Sequence, residues 1–187
     1  MVLATRKSNP YQLVVGMSGL ALGDRFVQIG CAHGGRLGAM AARVGLSGHA
    51  AVVVPDEATA TRARKGAEGA GVFIEIKVEP LERLPFDAGT FELAIVDDTD
   101  GLMATMPPPA RLRVLQEALR VLEPGGRALI IGTLPASGLG ALFGRGRKTP
   151  PLNAEPLLAE AGFLLTRVLG ESEGLRFTEA VKRRAGV

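Results

Sequence analysis

The sequence predicts an α/β domain built on a mostly parallel sheet, and two observations support this prediction. Five short apolar runs alternate with segments of helical periodicity between residues 26 and 132. This alternation is typical of parallel strands joined by crossover helices. Two further strands, 163–169 and 175–181, are separated by a short connection rich in glycine and glutamate. Because such a connection joins antiparallel neighbours, one edge of the sheet is predicted to be antiparallel.

The first strand, loop and helix form the stretch around which the rest is organised. The apolar run 26–29 leads into the loop Gly30-Cys31-Ala32-His33-Gly34-Gly35, and apolar residues then recur at helical spacing: Leu37, Met40, Ala41 and Val44. Glycine has no Cβ and adopts positive φ without strain, so a ligand can approach the backbone closely. Because the helix also directs its first free N–H groups toward the loop, this junction is the predicted ligand site.

The other elements follow in the order that a doubly wound sheet requires. The predicted strands are 49–54, 72–78, 91–96 and 128–132, and the predicted helices are 55–66, 107–123 and 156–161. Residues 1–24 are expected to be a lead-in, and residues 25–187 the core of one domain that spans residues 1–187. A chain of this length can bury a substantial core.

The composition is that of an ordinary globular protein, with 47% hydrophobic residues, 22% charged residues and a formal net charge of +3. No run reaches the roughly 18 apolar residues that a membrane span needs. No N-terminal signal-peptide pattern is present, so a cytoplasmic protein is expected. The single cysteine, Cys31, excludes an internal disulfide and a cysteine-based zinc site. No residues show metal-ligand spacing.

Basic residues cluster at 145–148 and at 182–184. A surface that binds nucleic acid is expected to combine basic and aromatic side chains, but only 4% of the residues are aromatic and tryptophan is missing. The Gly/Pro-rich connection 133–151 carries Arg145, Arg147 and Lys148. This loop is interpreted either as a solvated segment or as a contact for an anionic substrate, a membrane surface or a partner protein.

Three segments between Leu20 and Val181 resemble motifs of the class I S-adenosylmethionine-dependent methyltransferases, in particular the small single-domain bacterial type. They are Phe26–Gly34, the segment LPFDAGTFEL at 84–93 and the segment ALRVLEPGGR at 118–127. The resemblance implies a Rossmann-like sheet of seven strands in the order 3-2-1-4-5-7-6, with strand 7 antiparallel and helices on both faces. It also implies S-adenosylmethionine as the cofactor, lying across the carboxyl ends of strands one to four.

Carried over by position, the resemblance places Gly30 and Gly34 where glycines let the methionine part of the cofactor pass. Four positions depart from the family pattern: Gln28 replaces an acidic residue, Ala32 the middle glycine, Val54 the ribose-binding acid and Pro80 an acid beside the adenine. A lost charged hydrogen bond weakens binding by about tenfold or more. The resemblance therefore implies a cofactor site with degenerate contacts.

Other residues border the implied site. Pro55 and Asp56 follow the second strand, and Asp56 is either a ribose contact or a helix N-cap. Leu81 is either an adenine contact or a core residue. Asp97 and Asp98, which end the fourth strand, either orient a ligand or form a solvated acidic loop.

The implied reaction is in-line transfer of a methyl group, with a small molecule as the expected acceptor. His33 is a candidate general base, although a space-filling role is the favoured interpretation, and Cys31 is interpreted as a packing residue. Two alternatives stay open. One is a non-catalytic binding or assembly protein with a decayed cofactor site, and the other is an enzyme with a different nucleotide-like ligand.

Overall fold

A seven-stranded sheet forms the centre of the protein. The computed structural model describes residues 11–134 and 152–186, and the strands there have the order β3-β2-β1-β4-β5-β7-β6. The strands are β1 (Arg25–Ile29), β2 (His49–Val54), β3 (Glu75–Val78), β4 (Phe91–Asp97), β5 (Leu122–Thr133), β6 (Leu164–Ser172) and β7 (Leu175–Val181). Strands β1 to β5 pair in parallel, whereas β7 is antiparallel to both β5 and β6. The predicted fold class, strand order and antiparallel strand are confirmed.

Helices pack on both faces of the sheet. They are α1 (Gln12–Ser18), α2 (Gly34–Val44), α3 (Glu57–Ala70), α4 (Leu102–Thr105), α5 (Pro108–Val121) and α6 (Ala154–Glu160). One core cluster joins the sheet to α4, α5 and α6, and a second joins it to α1, α2 and α3. Alternate residues of β1 enter different clusters, since Val27 and Ile29 belong to the first and Phe26 to the second.

The structure differs from the sequence prediction at several element boundaries. Helix α3 continues past Gly66 and ends before Gly71, which has a left-handed φ of 65°. Strand β3 consequently begins at Glu75 rather than at residue 72. Strand β5 begins at Leu122, because Leu122 pairs with Phe91 and an irregularity then shifts the register. The short helix α4 was not predicted.

Arg120 explains why two of the quoted sequence segments occur together. Its guanidinium donates to the backbone oxygens of Phe86 (2.8 Å) and Leu84 (3.0 Å), and it also pairs with Glu117 at 2.7 Å. Glu117 in turn accepts the backbone N–H of Leu84 at 2.8 Å. The segment at 118–127 therefore holds the loop before β4 in place through its arginine.

Helices α2 and α3 cross with their backbones in contact. A Cβ on Gly34 would overlap the backbone oxygen of Arg62, and a Cβ on Gly66 would overlap the backbone of Gly34. On the same side of α2, a Cβ on Gly38 would overlap the backbone oxygen of Gly66. The crossing therefore requires glycine on both helices.

Glu179 of β7 is a nearly buried carboxylate between two arginines. Its side chain is 5% exposed and lies 2.8 Å from both Arg127 and Arg167. Burial alone would raise the pKa of Glu179, but the hydrogen bonds and charges of the two arginines outweigh burial and lower the pKa below its ordinary value. The group therefore stabilises the fold while it is ionised.

Replacing Gly66 with alanine should destabilise the protein by about 1–3 kcal/mol, because the new methyl group forces α2 and α3 apart. Gly69→Ala is the matched control on the same helix, since a Cβ there meets nothing within 4 Å. Alanine at that position should be neutral or stabilising by up to about 1 kcal/mol. Urea unfolding measures both free energies; equal effects of the two variants would contradict a backbone crossing at Gly66.

The stability difference between the wild type and Glu179→Gln should depend on pH. Because the pKa of Glu179 is lowered in the folded state, its contribution is full above the unfolded value of about 4.3. The contribution is lost as the pH falls through the lower folded-state value. Urea unfolding between neutral pH and pH ~3 measures it, with Glu57→Gln as the control for removing an exposed carboxylate. A pH-independent difference would show that the arginines do not stabilise the ionised form.

Candidate functional site

The candidate site lies where β1, β2 and β4 end at the same edge of the sheet. Gly30 follows β1 with a φ of 77°, and its N–H donates to the backbone oxygen of Val53 at 2.9 Å. A Cβ at this position would lie 2.5 Å from Cδ2 of Leu102 on α4. Gly30 is thus needed for its left-handed conformation, and a Cβ there would also displace the flexible end of Leu102.

Gln28 is buried directly below this turn, with 1% of its surface exposed. Its Nε2 donates to the backbone oxygen of Gly30 at 2.8 Å. This bond fixes the orientation of the amide, because only the NH₂ group can donate to a carbonyl. The other end of the amide, Oε1, is buried with no hydrogen-bond partner in the described structure. Since an unsatisfied buried acceptor costs about 1–3 kcal/mol, a ligand that brought a donor to this atom would gain that energy.

Asp97 holds the glycine loop from the end of β4. Its side chain is 3% exposed, and its Oδ2 accepts the backbone N–H of Ala32 at 2.9 Å. Its Oδ1 accepts the hydroxyl of Thr99 at 2.7 Å and lies 4.0 Å from Nη1 of Arg36. The carboxylate is therefore already committed to the loop, and the predicted solvated acidic loop is wrong for this residue.

Asp98 is also buried, and its Oδ1 accepts the backbone N–H of Met103 at 2.7 Å. This bond holds the start of α4 against the loop. Both aspartates at the end of β4 are therefore buried. Each carboxylate accepts a hydrogen bond from a backbone N–H near the site.

The end of β2 places Asp56 in a helix cap. Its Oδ1 accepts the backbone N–H of Thr59 at 2.8 Å, at the N-terminus of α3. This bond from Thr59 is the main reason why the pKa of Asp56 is lowered. The last residue of β2, Val54, is buried, and Pro55 beside Asp56 is exposed. Of the two interpretations left open by the sequence, the structure shows the N-cap.

Leu81 and Gly34 lie in packing positions. Leu81 is 1% exposed within the core cluster that includes Val27 and Met103, so the core interpretation describes its surroundings. Gly34 lies in the crossing of α2 and α3 described above. For both residues, a contact with cofactor stays a prediction.

His33 is exposed at the N-cap of α2, and its side chain makes no capping hydrogen bond. Its ring lies 5.2 Å from the ring of Tyr11, at a tilted angle of 58°. The His33 ring is therefore open to solvent, and its role as a base stays a prediction.

Cys31 is 2% exposed, and burial together with the nearby charge of Asp97 raises the pKa of its thiol to about 12. The thiol is protonated at neutral pH and is a poor nucleophile. This is consistent with the packing role predicted from the sequence.

Two arginines at the site were missed by the sequence analysis. Nη1 of Arg36 donates to the hydroxyl of Thr99 at 2.8 Å, and Nη1 of Arg62 donates to the backbone oxygen of Cys31 at 2.6 Å. A signal existed for Arg36, because it lies in the first turn of α2. The helix dipole favours acidic residues there, so a basic residue in this position indicates a specific partner. No comparable signal marks Arg62.

A groove of about 580 Å³ lies between α2 and α3 and is bordered by Tyr11, Arg62 and Lys65. Glycines and alanines of the two helices form the rest of its lining. The close helix crossing accounts for Gly34 and Gly66 in this lining, whereas a Cβ on Gly69 would meet nothing within 4 Å.

Other predicted features concern the wider molecule. The basic loop with Arg145, Arg147 and Lys148 lies outside the described residues. Across residues 11–134 and 152–186, no helix has both the length and the apolar character of a membrane span. In the same part of the chain, no group of three or more acidic, histidine or cysteine side chains is arranged to hold a metal ion.

Solved structures resemble this fold across nearly the whole chain. An S-adenosylmethionine-dependent methyltransferase from Aquifex aeolicus matches 92% of this chain and 89% of its own, with a TM-score of 0.71 and 19% identity. A putative methyltransferase from Bacillus halodurans matches 93% of this chain and 99% of its own, with a TM-score of 0.65 and 15% identity. At these identities the likeness concerns the fold.

A curated relative matches part of the sequence. An uncharacterized 37.1 kDa protein in transposon TN4556 of Streptomyces fradiae is 31% identical over 110 residues, which are 59% of this chain and 30% of that protein. The present chain thus matches less than a third of the length of that relative.

A family model described as a methyltransferase domain matches residues 26–126, which is more than half of the chain. The matched range runs from the start of β1 to the glycines within β5, and so contains the glycine turn, Asp97 and the Arg120 segment. The chain therefore belongs to the methyltransferase-domain family, whose cofactor is S-adenosylmethionine.

Proposed function

We propose that this protein binds S-adenosylmethionine at the carboxyl ends of β1, β2 and β4 and transfers its methyl group to a small molecule. The observation that carries the proposal is the unpaired, buried Oε1 of Gln28 beside the left-handed turn at Gly30. The pair offers a left-handed turn and one unused acceptor, which suits the donor-bearing ammonium end of the cofactor.

The residues present fit the methionine end of the cofactor better than its nucleoside end. Gln28 and Gly30 would hold the methionine end, and Asp97 would keep the loop in shape through Ala32. At the nucleoside end, Asp56 is exposed and already accepts the backbone N–H of Thr59 in the first turn of α3. A carboxylate has lone pairs to spare, so Asp56 can still accept a ribose hydroxyl while it caps the helix. Gly34, Pro55 and Leu81 complete the proposed set as packing neighbours.

The cofactor supplies a methyl group that its sulfonium already activates. The task of the protein is to hold the acceptor in line and to exclude water. His33 is the proposed base for an acceptor that must lose a proton, since its ring is exposed at the N-terminus of α2. A cytoplasmic location and a partner at Arg145, Arg147 and Lys148 stay predictions.

A second candidate function is a non-catalytic binding protein with the same fold, and one observation favours it. Three polar groups of the glycine loop already have partners within the chain: the Gly30 oxygen accepts from Gln28, the Cys31 oxygen accepts from Arg62, and the Ala32 N–H donates to Asp97. A ligand must replace or share these bonds, which lowers its affinity. The titration below separates the two functions.

Calorimetric titration with the demethylated cofactor, S-adenosylhomocysteine, tests the proposal. The wild type should bind it, and Gly30→Ala should weaken binding by about tenfold or more, because the new methyl overlaps Cδ2 of Leu102 beside the proposed methionine site and forces that side chain to move. Gly71→Ala is the matched control, since Gly71 also has a positive φ of 65° but a Cβ there meets nothing within 4 Å. It carries the same backbone strain and should bind like the wild type.

Circular dichroism would show that both glycine variants are folded at the temperature of the titration. Absence of binding by the folded wild type at millimolar ligand would overturn the methyltransferase proposal and leave the binding protein. Equal loss of affinity in the two variants would assign the effect to backbone strain rather than to the crevice.

A further inference from the structure

Arg62 connects three segments that end three neighbouring strands. It lies on α3, which follows β2, and its Nη1 is 2.6 Å from the backbone oxygen of Cys31 in the loop after β1. The same nitrogen is 3.9 Å from Oδ2 of Asp100 in the segment after β4. Because β2, β1 and β4 are adjacent in the sheet, the Arg62–Asp100 bridge crosses the edge at which the glycine loop opens.

A second contact between the same regions is more deeply buried. Arg36 of α2 reaches Thr99 at 2.8 Å and Asp97 at 4.0 Å, and the side chains of Arg36 and Asp97 are 21% and 3% exposed. By contrast, the side chains of Arg62 and Asp100 are 45% and 50% exposed. Breaking the Arg36–Asp97 contact would leave a buried carboxylate without its cation. The Arg62–Asp100 bridge is solvated, so it is the part of the network that can open at little cost.

We propose that the Arg62–Asp100 bridge closes the cofactor crevice in the ligand-free protein and opens when a ligand enters. The inference rests on the proposed function for the identity of the ligand, but not for the closure itself. Opening swings the guanidinium away from the Cys31 oxygen and so releases the loop from Gly30 to Ala32. The bridge therefore acts as an electrostatic gate between α3 and the segment after β4.

The size of the expected effect follows from the exposure of the pair. Ion pairs of this class change an equilibrium by no more than about fivefold. Salt screens such exposed charges, so ligand association in the wild type should become faster as the ionic strength rises, while a variant without the bridge should be insensitive.

The thiol of Cys31 reports the opening without any ligand. It is the only cysteine of the chain, it is 2% exposed, and its backbone oxygen is the atom that Arg62 holds. Because the Cys31 side chain packs in the core cluster with α1, α2 and α3, the rate at which an aromatic disulfide reagent labels this thiol measures how often the loop moves away from that cluster. The test compares the labelling rates of the wild type, Asp100→Asn and Arg62→Gln.

The two variants separate opening from electrostatics. The charge of Asp100 raises the pKa of the Cys31 thiol, and the charge of Arg62 lowers it. Charge alone would therefore make labelling faster in Asp100→Asn and slower in Arg62→Gln. Faster labelling in both variants requires that the loop move away from the core cluster more often. Glu57→Gln is the matched control, since it breaks the exposed Arg64–Glu57 pair (3.0 Å) on the same helix.

The result that supports the proposal is faster labelling in both bridge variants, up to about fivefold, with the control unchanged. Faster association of S-adenosylhomocysteine with Asp100→Asn than with the wild type, in stopped-flow measurements, would further support the proposal. Labelling that follows the charge pattern, or that is unchanged in Arg62→Gln, would overturn the proposal, as would unchanged association with a ligand that does bind.

The failure of the proposed function gives a different result. In that case no variant binds the cofactor product, and the labelling rates alone decide whether the bridge closes the crevice. Faster labelling in both variants would then retain the gate for a ligand that is not the cofactor, and any other labelling pattern would reject it.

Discussion

The contact between Gly34 and Gly66 is the constraint on which the rest of the site depends. Helix α2 starts at Gly34, directly after the glycine loop, so the position of its first turn against α3 also sets the position of the loop. Larger residues at the crossing would separate the helices and lift the loop from the carboxyl ends of β1 and β2. The last glycine of the loop motif is therefore explained by packing, and Gly30 alone supplies the left-handed turn.

The architecture was predictable because the local sequence signals for strands, helices and turns agree with the elements of the folded protein. Apolar runs marked the strands, glycine and proline marked their ends, and the resemblance supplied the strand order. The errors occurred where tertiary contacts override a local signal. Gly66 looks like a helix end but lies inside α3 at the crossing, and the Pro-Gly-Gly segment looks like a break but lies within β5 at an irregularity in its pairing with β4.

The site was less predictable than the fold, because its chemistry depends on residues far apart in the sequence. Asp97 bonds Ala32, 65 residues away, and Arg62 bonds Cys31, 31 residues away. A sequence shows which residue types stand in the motif, but not which of them have already found partners. Asp56 illustrates the difference, since the sequence alone does not show that its carboxylate already accepts the N–H of Thr59.

The replacement of an acid by Gln28 changes the loop in a way that charge alone does not describe. An ionised carboxylate only accepts hydrogen bonds, so it cannot engage the backbone oxygen of Gly30. The amide of Gln28 donates to that oxygen and leaves its own Oε1 unpaired in the core. Glutamine at this position thus occupies one acceptor, the backbone oxygen of Gly30, and adds a second, unpaired acceptor, its own Oε1. Under the proposed function, the buried amide oxygen would favour a ligand group that donates a hydrogen bond over a carboxylate, which only accepts one.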